Sequence, residues 1–246
     1  MPRATPKETQ RRTMRLTAEH VARLVREIAD PGHITPNTHA ATEEDFRAAL
    51  AGVLELAGPG AEEKPFWVFA YGSLIWKPAF ESVEMRRAVA KGWHRSFCLG
   101  WDRRFRGNAD KPGLMLALDR GGTCNGVAYR LPDGKVRENL DRLVRREMGT
   151  VPTSFPPRFI NVATEQGPAR ALTFAINRNS GRYISGLTNE QIADMLATAV
   201  GFRGSMAEYL FSTVKHLEEL GVHDHHLWEL QELVADRIEA TAGSQR

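Results

Sequence analysis

Cysteine is scarce: Cys98 and Cys124 are the only two in 246 residues. Two isolated thiols supply neither a disulfide scaffold nor the clustered pairs of a zinc site. They leave either a single pairing or two free buried thiols. Long apolar runs are missing as well. No stretch reaches the roughly 18 uncharged apolar residues of a membrane span, and the basic N-terminus has no apolar segment behind it to make a secretory signal. The expectation is a cytoplasmic protein with no membrane partner. Neither a G-x-G-x-x-G nor a Walker loop occurs, so no nucleotide fingerprint is present. Internal repeats and low-complexity tracts are also lacking.

Charge is not in large excess: 33 Lys and Arg against 30 Asp and Glu leave +3. Part of the positive charge sits in a tail, at Arg3, Lys7, Arg11, Arg12 and Arg15. A second basic cluster, "WDRRFRGNADK" at 101–111, interleaves aromatics with arginines as a nucleic-acid groove does. Asp102 and Asp110 offset part of that charge, and the favoured reading is a solvated loop with no nucleic-acid partner.

Two amphipathic segments come first. Val21, Leu24, Val25 and Ile28 follow Thr17 at helical spacing, with Thr17 as N-cap. Thr42 stands three before Asp45, and Phe46, Ala49, Leu50, Val53 and Leu54 then make one apolar face. "DPGHITPNTHA" links the two segments, and "AGPGAEEKP" marks a boundary near residue 60. The division expected is a tail and helical extension over 1–62, a catalytic domain over 63–241 and a short tail over 242–246.

From residue 66 the pattern is strand-rich: 66–70, 85–90, 93–100, 114–119, 124–131, 158–163 and 169–176. Helices are expected near 134–147, 188–200, 205–220 and 224–241, the third opening on a capping box of Ser205 and Glu208. Strands first and helices later fit an α+β domain, a small curved sheet or barrel flanked by helices.

One helix carries an anomaly. In "DGKVRENLDRLVRREMG", Val136, Leu140, Leu143 and Val144 form the apolar stripe, and Glu147 continues it. Burial there disfavours the charged carboxylate, and a helix C-terminus, which Gly149 suggests, adds negative potential. Both raise the pKa and make the group a candidate general acid/base. The alternative is a helix that frays at Arg146 and leaves Glu147 in solvent.

Taken in order, "VFAYGSLIWKP", "GWHRSFCLG", "GVAYRLP", "REMG" and "EYLFSTVKHLEELGVHD" resemble the ChaC-type γ-glutamylcyclotransferases over residues 66–238. Residues 1–60 have no comparable match. The resemblance implies a γ-glutamylcyclotransferase-like fold, a small mixed barrel with surrounding helices, to which the residue pattern adds the N-terminal helical extension. It also implies cleavage of glutathione to 5-oxoproline and cysteinylglycine. By matched motif, Glu147 is the catalytic acid/base. The segment Phe69, Ala70, Tyr71, Gly72, Ser73 and Leu74 binds the γ-glutamyl group, with Tyr209 as a further substrate contact. Ala70 stands where many relatives carry glycine, and the segment after Glu147, "MGTVPTSFPP", departs from the usual continuation.

The chemistry is consistent with those residues. The substrate's α-amine attacks its own γ-carbonyl, so no nucleophilic side chain, metal or cofactor is required. Two proton transfers remain, and one carboxylate performs both in turn. Backbone N–H groups of a glycine turn suit the developing oxyanion. Ser73 reads as a hydrogen-bond donor, because no His-Asp partners accompany it.

Other candidates stay beside these. Arg95 is either an exposed strand arginine or a partner for a substrate carboxylate. His216, His223, His225 and His226 read as a solvated corner in preference to a metal site. Tyr209 is a core residue unless the resemblance gives it a role. Rival functions are ring closure on other γ-glutamyl amines, or a non-catalytic binding protein regulating cation transport.

Overall fold

The alternating apolar pattern after residue 66 folds as a barrel, in a computed structural model that describes residues 13–243. Arg3, Lys7, Arg11 and Arg12 of the basic tail lie outside the described residues, as do 244–246. Arg15, within them, pairs with Asp236 at 2.8 Å and Glu239 at 2.7 Å.

The chain runs α1 (Ala18–Ala22), β1 (His39–Ala40), α2 (Glu43–Ala57), β2 (Trp67–Ala70), β3 (Glu84–Asp102), β4 (Gly113–Arg130) and α3 (Val136–Glu147). It continues through β5 (Thr150–Val151), β6 (Pro157–Thr164), β7 (Gly167–Phe174) and α4 (Asn189–Leu196). It then ends with β8 (Val200–Gly201), β9 (Gly204–Ser205), α5 (Met206–Glu219) and α6 (His225–Gly243). Five strands close in the order β2-β4-β3-β6-β7, all antiparallel except the β7–β2 seam. β3 meets β6 only at Ala88 and Val89, so the ribbon of β3 and β4 runs on beyond the closed part. The result is the expected α+β barrel flanked by helices.

Four of the expected strands are two. Residues 84–102 and 113–130 form one long ribbon, and the presumed breaks are a bend within it. Gly92 (φ 80°) faces Gly121 (φ 107°) and Gly122 (φ 65°), and the register shifts there between Lys91 and Trp93. Glycines on both strands allow a bulge that turns the ribbon without ending the pairing.

The first amphipathic segment is helical only over 18–22. Thr17 does cap it, with His20 as the reciprocal partner, but Val25 is 77% exposed, and Ile28, though packed against the core, lies beyond the helix. The second is as expected: Thr42 and Asp45 make a capping box, and Leu50 and Val53 are buried where α2 packs on α3. Ser205 caps α5 through Glu208 N–H at 3.1 Å, but there is no reciprocal box. The Glu208 carboxylate turns instead to Arg106, a charged partner stronger than the cap's own backbone N–H.

The position of β2 depends on one close approach. A Cβ on Gly126 of β4 would lie 2.4 Å from the Ala70 carbonyl oxygen and 2.8 Å from the Phe69 ring. Gly126→Ala is therefore expected to force β2 from its neighbour and destabilise the protein by about 1–3 kcal/mol or more. Thermal denaturation checks this, and a melting temperature equal to wild type would contradict it.

Candidate active site

Strand β2 delivers the site's first element by ending. Val68, Phe69 and Ala70 are fully buried, and after Ala70 the backbone leaves the sheet in a tight turn. Ile75 N–H donates to Gly72 O at 2.9 Å and Lys77 N–H to Ser73 O at 2.8 Å. These bonds use the turn's carbonyls. The N–H groups of Gly72 and Leu74 have no acceptor among the described residues, which leaves donors for a ligand. Leu74 and Ile75 are buried, but in the turn and not in a resumed strand.

Helix α3 brings Glu147 to the same place. The stripe behaves as the spacing requires: Val136, Leu140, Leu143 and Val144 are buried, and Glu147 closes the helix. The helix does not fray before it, since Met148 N–H still bonds Val144 O at 2.8 Å. Gly149 takes no left-handed turn; Met148 is the cap, and the chain passes straight to β5. The Glu147 side chain is 16% exposed and lines a cavity of about 210 Å³ together with Tyr71, Gly72, Ser73, Leu74 and Tyr209. Burial raises its pKa, and the Arg146 guanidinium, with Nε 3.2 Å from Oε1, opposes that rise. The C-terminal helix end adds to the rise.

Tyr209 is both core and site. Helix α5 buries it, with its ring edge-on to Trp76 at 6.1 Å and to Phe97 at 6.4 Å, while its hydroxyl reaches Gly72. Burial first, then the charge of Glu147, pushes its pKa up to about 12. The same two causes raise Tyr71 well above the ordinary range, and its hydroxyl donates to Phe174 O at 3.1 Å. Both phenols thus stay neutral beside the carboxylate, with the one O–H of Tyr71 held by Phe174 O. A Cβ on Gly72 would meet the Tyr209 oxygen at 3.2 Å and Leu116 Cδ2 at 3.5 Å. Gly72→Ala is expected to lower kcat/KM by about 10- to 100-fold through misplacement alone. Steady-state kinetics of the variant, alone and combined with Tyr209→Phe, checks this: the double variant should lose less than the two losses combined.

Six of the eight expected site residues therefore meet at one cavity. Phe69 and Ala70 stand behind it, in β2, and do not line it. Ser73 Oγ accepts a hydrogen bond from Arg146 Nη2 at 2.9 Å, and another Arg146 nitrogen bonds the Lys77 carbonyl. Arg146 therefore ties the turn to Glu147. In the sequence it is one of several arginines off the stripe, with nothing local to set it apart.

Arg95 fits neither sequence reading. Its side chain is 2% exposed, and its Nε lies 3.1 Å from Asp224 Oδ2, away from this cavity. It sits on the inner side of the ribbon, where the entry to α6 supplies the carboxylate. The histidines also have separate partners. His216 bonds Ser212 O at 2.7 Å and stacks on Trp76, while His223 bonds Glu218 at 2.6 Å beside His225 and Trp228. Among the described residues no three His, Cys, Asp or Glu side chains group as a metal site. Cys98 and Cys124 are unpaired and buried, and burial pushes the Cys98 thiol up to about 12. In the basic loop, Arg104 pairs with Asp30 and Arg106 with Glu208, and Asp102 accepts the N–H groups of 104, 105 and 106. No helix among the described residues is long and apolar enough to cross a membrane.

Comparison with known proteins gives a consistent result. A family model described as ChaC-like protein matches residues 66–237. A glutathione-specific γ-glutamylcyclotransferase of Escherichia coli K12 is 39% identical over 188 residues, covering 76% of this chain and 79% of that protein. The human glutathione-specific γ-glutamylcyclotransferase 1 is 30% identical over 183 residues, covering 72% and 82%. A crystal structure of a yeast γ-glutamylcyclotransferase specific to glutathione superposes with a TM-score of 0.64 at 20% identity, over 70% of this chain and 96% of that one. At that identity the likeness is one of fold.

Proposed function

Because the chain belongs to the ChaC-like family, we propose that it is a glutathione-specific γ-glutamylcyclotransferase, releasing 5-oxoproline and cysteinylglycine. The observation that carries the mechanism is one cavity with a raised-pKa carboxylate, Glu147, bordered by a turn with free N–H groups. The γ-glutamyl group lies between them. Glu147 takes a proton from the α-ammonium, and the freed amine attacks the γ-carbonyl. The new N–C bond closes the five-membered ring, the carbonyl electron pair moves to oxygen, and the turn amides receive that charge. Collapse breaks the bond to the cysteinyl nitrogen, which takes its proton from Glu147, and the ring nitrogen passes its second proton to the carboxylate so freed, leaving the neutral lactam.

Each step has a scale. Holding amine and carbonyl in one molecule removes up to about 7–11 kcal/mol of barrier in well-aligned systems. Proton transfer by a placed carboxylate contributes about 10²–10⁴-fold. An oxyanion donor is worth about 3–4 kcal/mol. Tyr209, held neutral, donates without competing for the proton, while the Tyr71 O–H stays on the Phe174 carbonyl. Arg146 keeps Ser73 and Glu147 in register across the cavity.

The substrate is tested by assaying 5-oxoproline release from glutathione beside γ-glutamyl amino acids and γ-glutamyl amines. Glutathione should give the highest kcat/KM. A higher value for a γ-glutamyl amine would move the assignment to that class and keep the mechanism.

A further inference from the structure

The cavity that holds Glu147 adjoins an outer cleft of about 510 Å³. Asp102, Thr153, Ser154 and Arg182 line both, so these side chains stand where the two meet. One wall of the outer cleft is residues 33–38, which lie outside the 66–237 stretch matched by the family model. That wall is fixed at both ends. Asp30 holds Arg104 through Nε at 2.7 Å and Nη2 at 2.8 Å, and His39–Ala40 pairs with Thr150–Val151. Within it His33 Nε2 bonds Thr38 Oγ1 at 2.9 Å, and Thr38 donates to Thr35 O at 2.8 Å.

The arginines near this junction differ in what they already hold. Arg104 has Asp30, and Arg146 has Ser73, Lys77 and Glu147. Arg182 has far less. Its Nε donates to Gly100 O at 3.1 Å, and among the described residues its guanidinium has no other hydrogen bond and no carboxylate in salt-bridge contact. The acid whose charge it feels is Asp102, whose oxygens are taken by the N–H groups of 104, 105 and 106. A half-buried guanidinium with open donors at the junction of cavity and cleft is a receptor for a planar anion.

The substrate supplies one. With the γ-glutamyl end between Glu147 and the turn, the rest of the peptide runs outward and ends in a carboxylate. We propose that Arg182 binds the terminal carboxylate of the peptide joined to the γ-glutamyl group, in the cleft that residues 33–38 wall. The site then selects γ-glutamyl peptides with a free C-terminus over neutral γ-glutamyl amides. This inference rests on the γ-glutamylcyclotransferase reading and adds the residue that reads the leaving peptide.

The test compares glutathione with its glycine ethyl ester, on the full chain and on the Arg182→Met and Arg182→Lys variants, by 5-oxoproline release. Wild type should favour the acid over the ester in kcat/KM by about tenfold or more, mostly through KM. Arg182→Met should bring the ratio close to one by losing the acid while keeping ester turnover. Arg182→Lys, which keeps the charge, should retain a preference for the acid. Equal losses on acid and ester in Arg182→Met would overturn the proposal and make the residue structural, as would a wild-type ratio near one. In either case 5-oxoproline is still formed and the cyclotransferase reading stands. Failure of wild type to release 5-oxoproline from either compound would overturn both.

Discussion

Glu147→Gln is expected to lower 5-oxoproline release from glutathione by about 10²–10⁴-fold, the range of a positioned acid/base, with KM changed far less. The amide keeps the size and two polar atoms of the side chain but takes no proton from the α-ammonium. Steady-state kinetics measures the loss; turnover within twofold of wild type would contradict the assignment. The pH dependence follows from the raised pKa. Burial favours the protonated form, so the base appears only above the ordinary carboxylate value of 4.5, and wild-type kcat should fall on the acid side from a higher pH than that.

Stability moves the other way. A carboxyl group whose folded pKa exceeds its unfolded one contributes stability below the unfolded pKa, and this is lost as pH rises through the folded pKa. Above the folded pKa, then, ionised Glu147 weakens the fold, and there Glu147→Gln should melt at or above the wild-type temperature. The combination of an inactive enzyme and an undiminished melting temperature separates a catalytic loss from unfolding.

Arg146→Met should lower kcat/KM by about 10- to 100-fold. One guanidinium holds Ser73 Oγ at 2.9 Å, the Lys77 carbonyl, and Glu147 Oε1 at 3.2 Å. Hydrogen bonds to a charged group are worth about 1.5–3 kcal/mol each, and the turn loses its tie to α3 with them. Arg146 also holds the Glu147 pKa down against burial. Its removal should move the acid limb of kcat to higher pH, a shift that loosening the turn alone would not give. Arg146→Lys keeps the charge without the planar fork. It should restore the limb but only part of kcat/KM. An unmoved limb in Arg146→Met would show that the residue does not act through Glu147.

The carboxylate was legible because a helix has a fixed period. Glu147 falls four residues after Leu143 and three after Val144, so a helix that stays intact through Glu147 carries the carboxylate in with the stripe. The glycine turn was legible for a similar reason, an apolar strand stopped by Tyr71-Gly72-Ser73. Arg146 was not. Its meaning lies in a partner 73 positions away, and beside Arg142 and Arg145 it looks like one more solvated charge. Those two indeed pair with surface acids.

Arg182 was hidden in the same way, by a contact with Gly100 across the sequence. Strand ends failed where local chemistry had two outcomes. Gly92 and Gly121-Gly122 signal a turn to any local reading, and only their meeting across the ribbon makes them a bulge. Arg95 was misread because alternation places it on a strand face without saying that Asp224 would cover it.

The central claim is ring closure, and the identity of the product tests it most directly. Wild-type protein and Glu147→Gln are incubated with glutathione, and 5-oxoproline, cysteinylglycine and glutamate are measured over time. Wild type should release 5-oxoproline and cysteinylglycine in equal amounts with no glutamate, and Glu147→Gln should release almost none of the three. Glutamate in place of 5-oxoproline would mean that water, not the substrate's own amine, attacks the γ-carbonyl. Undiminished 5-oxoproline from Glu147→Gln would mean that the proton goes elsewhere.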